Sequence, residues 1–285
     1  ARVSDLSVTK TDGVVSYQRA LSLDPRSIRP HLELCRLYNR LNETADAKAQ
    51  GQQALALYRA IADRAGEAQS LFCLSDAFRV GGAADRQEAR RLADASLTLL
   101  QDDPESFQLP RAHYYVGLAA YAGGQLSEAI DSWQQSLTRA RLVDNRPVQP
   151  VDLMNIGVAY ERLGQRALAA SYYGESSKAY ERLGDEARAA QNQANSGALL
   201  VEYGDKPEDG LRDLENALAV SRKLGDKNFE AFCLQVIAAY YRYAGRHAEA
   251  ERMVGGGVQR YRQVVARELV VVEIQADVLA AGKEI

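Results

Sequence analysis

The sequence is poor in the residues that usually announce a chemistry. Its 285 residues include only three cysteines, three histidines, two methionines and one tryptophan. Cys35, Cys73 and Cys233 form no CxxC pair and no Cys/His ligand spacing, so no metal site is expected. They read as buried packing residues in a reducing compartment. A basic excess is also missing: 35 Lys and Arg against 38 Asp and Glu give a formal charge of −3, which argues against a nucleic-acid partner. No apolar run approaches the roughly 18 residues that a membrane span needs, and the late LVVV is broken by Glu273. A cytoplasmic location is therefore expected. The chain opens ARVSD with no initiator Met, which leaves room for a native segment ahead of it.

What the chain does have is a repeat. Residues 155–173, NIGVAYERLGQRALAASYY, place Gly157, Gly164 and Ala169 where helices normally carry large apolar side chains. The Gly157 position recurs as Cys35, Ser75, Gly117, Gly197 and Ala238, all small and spaced 40 to 42 residues apart. The Gly164 position recurs as Asn42, Gly82, Gly124, Gly204, Gly245 and Gly282, and a third column runs Ala20, Ala54, Ser96, Ser136, Ser176, Ala217 and Gly257. Three columns in register indicate one structural unit used several times.

Each unit reads as two helices, because apolar residues recur at three- and four-residue steps and proline is absent from the interiors. The first helix ends at the glycine column, which suits a left-handed terminus. Pro110 and Pro150 fall at first turns, and Asp185 and Asp226 are candidate N-caps. Small residues at fixed points let backbones approach closely while Tyr160 and Tyr173 fill the neighbouring gaps. A lone helix pair cannot bury its apolar face, so the pairs stack into an all-α solenoid. The expected division is a half unit over residues 11–27 and full units over 28–66, 67–108, 109–148, 149–188, 189–229 and 230–267. A partial unit or capping helix follows over 268–285, with Val271, Ile274, Val278 and Ala281 as its apolar stripe.

The unit with Ile156-Gly157, Tyr160, Gly164, Ala169, Tyr173 and Ser176 resembles the tetratricopeptide repeat. The unit with Val116-Gly117, Gly124, Ala129, Trp133 and Ser136 matches nearly as well. The resemblance covers essentially the whole chain, and units of about 40 residues look like the longer arrays of kinesin light chains, spindle-orientation adaptors, Rap regulators and MalT-type activators. It implies a right-handed α-solenoid, the tetratricopeptide superhelix of stacked antiparallel helix pairs. Departures are Ser196-Gly197 in place of Leu-Gly, Gly51 at an aromatic site, and the triplet Gly255-Gly256-Gly257 late in a helix.

Catalytic motifs are not found. His31 and His113 precede the small-residue column by four residues, a packing site, and His247 follows the inter-helix glycine and should face solvent. The glycine triplet and Gly282-Lys283 lack P-loop spacing and a preceding strand. Asp85-Arg86-Gln87-Glu88-Ala89-Arg90-Arg91 reads as a solvated helix face of mixed sign. Neither an enzyme nor a cofactor is expected.

The resemblance further implies that the first helix of each unit lines a concave groove. That rule selects Arg36, Asp76, Arg79, Arg111, Tyr114, Tyr121, Asn155, Glu161, Gln191, Asn195, Gln235 and Arg242, with Arg29, Asn39, Gln69 and Tyr115 beside them. Arginine and tyrosine are common interface anchors. The set leans basic at one end and amide-rich at the other, and the clamp that binds chaperone tails is not reproduced. The expected function is a protein-interaction scaffold holding a peptide or flexible segment with acidic residues. The alternative is an effector-sensing segment of a larger signalling or transcription-regulating protein, to which an Ala- and Arg-rich composition adds a bacterial source. The chain opens on a second helix and closes on a first, as an excised fragment would.

Overall fold

The computed structural model describes the backbone of residues 3–253 and the side chains of residues 12–253. Every regular element among them is an α-helix. The glycine triplet and the expected C-terminal capping helix lie outside the described residues. The chain forms two compact units that divide between Leu163 and Gly164. The first holds α1 (Val3–Leu23), α2 (Ile28–Leu41), α3 (Thr44–Ala60), α4 (Arg64–Arg79), α5 (Ala83–Leu100), α6 (Leu109–Ala122), α7 (Leu126–Leu142) and α8 (Gln149–Arg162). The second holds α9 (Arg166–Arg182), α10 (Glu186–Tyr203), α11 (Pro207–Leu224) and α12 (Lys227–Tyr243), followed by helical residues 247–253.

Within each unit a helix packs against the next in sequence, and alternate helices touch as well: α2 on α4, α4 on α6, and α10 on α12. That second set of contacts makes a stack out of hairpins. Helix ends follow the local chemistry. Asp185 and Asp226 accept hydrogen bonds from the Arg188 and Phe229 N–H groups at 3.1 and 3.0 Å, and Asp63 caps α4 through the Gly66 N–H at 2.9 Å. Pro110 and Pro150 open α6 and α8. In the glycine column Gly124, Gly164 and Gly245 have left-handed backbones, and so has Asn42. Gly82 and Gly204 depart from the expectation: Gly82 is the extended N-cap of α5, and Gly204 ends α10 in an extended conformation.

The small-residue columns are explained by what stands against them. A Cβ on Gly117 would lie 2.5 Å from Trp133 Nε1, so the glycine of α6 is the socket for the indole of α7. Trp133 is almost fully buried, and its N–H donates to the Tyr114 carbonyl at 3.2 Å. In the second unit Gly197 and Gly210 put α10 and α11 in backbone contact, since a Cβ on either would fall within 2.7 Å of the other's carbonyl oxygen. Serines in or beside these columns tie helices together: Ser75 Oγ donates to the Ala89 carbonyl at 2.8 Å and Ser196 Oγ, next to Gly197, to that of Ala170 at 2.9 Å. Ser136 Oγ lies 2.8 Å from the Pro110 carbonyl oxygen and 2.7 Å from Asp152 Oδ2, all fully buried. Burial pushes the Asp152 carboxyl well above the ordinary carboxylate range, against the smaller opposing effect of its Ser136 hydrogen bond.

The cysteines correct the sequence-based expectation. All three are buried, but Cys35 of α2 and Cys73 of α4 are joined in a disulfide, with Cα atoms 6.3 Å apart. A reducing compartment can therefore no longer be argued from cysteine usage. Gly51 on α3 makes the room. A Cβ there would come 3.0 Å from Cys35 Sγ and 2.8 Å from the Leu74 side chain, so glycine stands where other units carry Trp133 or Tyr173. Cys233 stays a free thiol in the core of the second unit, and burial pushes its pKa up to about 12. No helix among the described residues is long and apolar enough to cross a membrane.

Candidate functional site

In the first unit α2, α4, α6 and the start of α8 enclose a cavity of about 590 Å³. Alternate helices of the stack present one face each to this space, so residues about 40 apart in sequence become neighbours. From α2 come Glu33, Arg36, Asn39 and Arg40; from α4, Gln69, Phe72, Cys73, Asp76 and Arg79; from α6, Arg111, Tyr114 and Tyr115. Pro147, Val148 and Val151 close it with an apolar edge.

Its polar groups are already partly ordered. Arg36 donates to Glu33 at 2.7 Å and reaches across to Gln69 Oε1 on α4 at 2.8 Å. Arg79 donates to Asp76 at 2.5 Å. Asn39 Nδ2 donates to the Cys73 carbonyl at 2.9 Å. Two arginines expected to await acids from a partner are thus satisfied within their own helices. Arg40 and Arg111 are exposed and make no ion pair among the described residues, so four arginines against two acids leave the cavity basic.

The aromatic wall is preorganised. Tyr115 stacks on Phe72 with ring centres 5.0 Å apart, and Tyr114 meets Tyr115 edge-on at 5.3 Å. Burial, then the charge of Asp76, pushes the Tyr115 phenol up to about 12. Burial raises Tyr114 as well, with the neighbouring Tyr115 acting in the same direction. Both phenols stay neutral at physiological pH and keep a proton to donate.

Of the residues selected from the sequence, Arg36, Asp76, Arg79, Arg111 and Tyr114 meet on this cavity, together with Asn39, Gln69 and Tyr115. Arg29 is exposed and is not among the lining residues, and Asn155 is half-buried behind Tyr114. Tyr121 is not among the lining residues: its ring lies against Trp133, with the Arg162 guanidinium 4.4 Å above it. Glu161 is exposed at the end of α8. Gln191, Gln235 and Arg242 are exposed and Asn195 half-buried, all in the second unit. Glu33, Arg40 and the apolar edge of Pro147, Val148 and Val151 were missed. Glu33 was signalled by its i,i+3 spacing to Arg36, whereas the edge begins in a connecting segment that the helix rule ignores.

The histidines carry no site. His31 Nδ1 pairs with Gln50 Oε1 at 2.7 Å, His247 is exposed, and burial followed by the Arg139 charge lowers His113. No group of His, Cys, Asp and Glu among the described residues is arranged to hold a metal ion.

No family model and no curated protein matches the chain. Solved structures do. The STAND protein PH0952 of Pyrococcus horikoshii, which has a tetratricopeptide repeat sensor, superposes with a TM-score of 0.69 at 13% identity, over 85% of this chain and 37% of that one. A Rap protein complexed with competence and sporulation factor gives 0.61 at 13% identity, over 92% and 73% of the two chains. BtubC (BKLC) from P. vanneervenii gives 0.57 at 17% identity, over 91% and 90%. This chain therefore spans little more than a third of the STAND protein and most of the other two. The fold is the all-α tetratricopeptide type, and at such low identity the likeness carries the fold alone.

Proposed function

We propose that the protein is an interaction module whose first-unit cavity holds a peptide or flexible protein segment bearing acidic and apolar side chains. The observation that carries this reading is the pairing of two unneutralised arginines, Arg40 and Arg111, with a rigid aromatic wall and an apolar edge. A carboxylate at Arg111 would sit beside Tyr114, and a neighbouring apolar side chain would cover Phe72 and Val151. The similarly folded Rap protein, found in complex with competence and sporulation factor, supports this reading. The test is calorimetry with peptides selected from a display library on the wild-type protein. Arg111→Glu is expected to weaken binding at least tenfold, about 1.4 kcal/mol, with a lowered salt dependence of association. Arg91→Glu, on the solvent face of α5, should leave affinity unchanged. Equal affinity of wild type and Arg111→Glu would move the ligand elsewhere.

The cavity volume and the STAND sensor support a second reading, in which a small acidic effector occupies the same space within a larger regulatory protein. A nucleotide-binding, kinase or DNA-binding domain encoded beside this segment would favour it. A display selection that yields tight peptides would favour the first.

A further inference from the structure

The seam between α2 and α4 is the floor of the cavity, and it is held differently from the seam at Gly117 and Trp133. Where those helices interlock glycine with indole, Gly51 of α3 holds the aromatic position against Cys35 of α2 and Leu74 of α4, with a covalent bond beside it. On its cavity side the α2–α4 seam is polar, with Arg36 to Gln69 and Asn39 to the carbonyl and Sγ of Cys73, and behind it Leu34 and Tyr38 pack with Ala77. Both cysteines are buried in one cluster with Leu32, Ala54 and Tyr58, and of the two only Cys73 also lines the cavity. Whatever fills the cavity covers the side from which Cys73 is nearest to it.

Taking the cavity as the binding site proposed above, we propose that the Cys35–Cys73 disulfide is a redox gate on it: the oxidised protein binds its acidic ligand, reduction by a dithiol releases it, and bound ligand shields the bond from reduction. A dithiol's thiolate attacks Cys73 Sγ through the cavity, and Cys35 leaves as a thiolate that takes up a proton. The second thiol of the reductant then closes on the mixed disulfide and frees Cys73. Two electrons and two protons pass to the protein, and the reductant departs as a cyclic disulfide. With the bond open, α2 and α4 keep three side-chain hydrogen bonds and the apolar packing of Leu34 and Tyr38 with Ala77, but lose their one covalent tie beside Gly51, and the spacing that gathers Arg36, Asp76 and Arg79 around one space is relaxed. Cys233 cannot intercept the exchange, being buried in the core of the second unit. Because binding and oxidation favour the same state, each must strengthen the other by the same factor.

The experiment uses the intact chain, oxidised or treated with dithiothreitol, and a fluorescein-labelled Glu-Glu-Phe-Leu-Glu-Glu peptide as probe. Alkylation and mass measurement should find Cys35 and Cys73 blocked in the untreated protein and labelled together after reduction. Reduction should weaken probe binding at least tenfold, and saturating probe should slow reduction by a comparable factor. Hydrogen exchange should quicken over Ile28–Leu41 and Arg64–Arg79 on reduction and stay constant over Lys227–Tyr243. Free thiols in the untreated protein, or unchanged exchange after reduction, would overturn the gate without reference to any ligand. Equal affinity in both redox states, with Arg111→Glu still weakening the probe, would overturn the gate and leave the site standing. No binding by the oxidised protein would overturn the acidic-ligand reading and the gate that depends on it. In a Cys35→Ser/Cys73→Ser variant, affinity should match the reduced wild type and no longer respond to dithiothreitol.

Discussion

Replacing Asp152 by asparagine should make the protein more stable at neutral pH and remove a pH dependence that wild type shows above pH 4. Ser136 has one hydroxyl proton and two acceptors within reach, the Pro110 carbonyl and Asp152 Oδ2. Both contacts are satisfied if Asp152 is a neutral acid, its own O–H donating to Ser136 Oγ while Ser136 donates to Pro110. Burial dominates over the first turn of α8: a helix N-terminus favours a carboxylate by about 0.3–1 kcal/mol, whereas stripping water from an unpaired charge costs several. Asp152 Oδ1 has no partner at all, as a carboxylate could hardly tolerate. The unfolded chain ionises this group near its ordinary 3.8, and the folded chain well above it. The stabilisation is fully present below 3.8 and is lost as pH rises through the folded value. Each pH unit of that window removes about 1.4 kcal/mol. In Asp152→Asn the side chain would be neutral throughout, with an amide nitrogen able to donate to Ser136. Urea melts at half-unit steps from about pH 3.5 to about pH 7.5 would show the variant gaining on wild type as pH rises above the ordinary carboxylate range. Slopes from Glu88, Glu128 and Glu230, whose basic partners hold them below the usual range, are common to both proteins and cancel. A stability difference independent of pH would refute the neutral acid.

Other changes test the packing. Gly117→Ala should cost about 1–3 kcal/mol by evicting the indole from its socket. Since Trp133 is the sole tryptophan, its emission should shift to the red, and unchanged melting and emission would discount the interlock. Ala169→Leu, at a fully buried site on α9, should likewise cost about 1–3 kcal/mol, while Glu175→Ala on its exposed face should stay within about 0.5 kcal/mol in denaturant melts. The Cys35→Ser/Cys73→Ser pair should lose about 4 kcal/mol, the loop-closure entropy of a 38-residue separation, with a loss under about 1 kcal/mol counting against a covalent staple.

The helix-pair architecture was legible because it is written in volume. A glycine facing an indole, or a serine reaching a neighbouring carbonyl, demands a small residue at a fixed place in every unit. Conformation was less legible. The same glycine column is left-handed at Gly124 and extended at Gly204, because an extended exit after α10 leads to Pro207 at the start of α11. The disulfide escaped because spacing was judged along the chain. Cys73 stands two residues before the Ser75 position, nearly one repeat from Cys35, and one repeat is the distance that puts residues on adjacent helices of the stack. The cavity's arginines were found by their helix, but their partners were not: Glu33 and Asp76 sit three residues before Arg36 and Arg79 and claim them. Tyr121, near the end of α6, meets Trp133 and does not line this cavity.

Gly51 has a consequence for how such a sequence can change. Repeat proteins are commonly stabilised by moving each position toward the common residue of its column. In this column two units carry Trp133 and Tyr173 and others Ala93 and Leu214, and the mid-helix glycine already costs about 1 kcal/mol against alanine. Yet an aromatic at 51 would have to occupy the volume of Leu74 and Cys35 Sγ. The covalent and the aromatic ways of closing this seam exclude one another, and passing between them requires at least Gly51, Cys35 and Cys73 to change. Each intermediate is worse than either end: an aromatic with the disulfide is overpacked, and a glycine without it is a gap. The first full repeat is thereby fenced off from the units built on Trp133 and Tyr173, free to drift at its surface but held to its own solution at the centre.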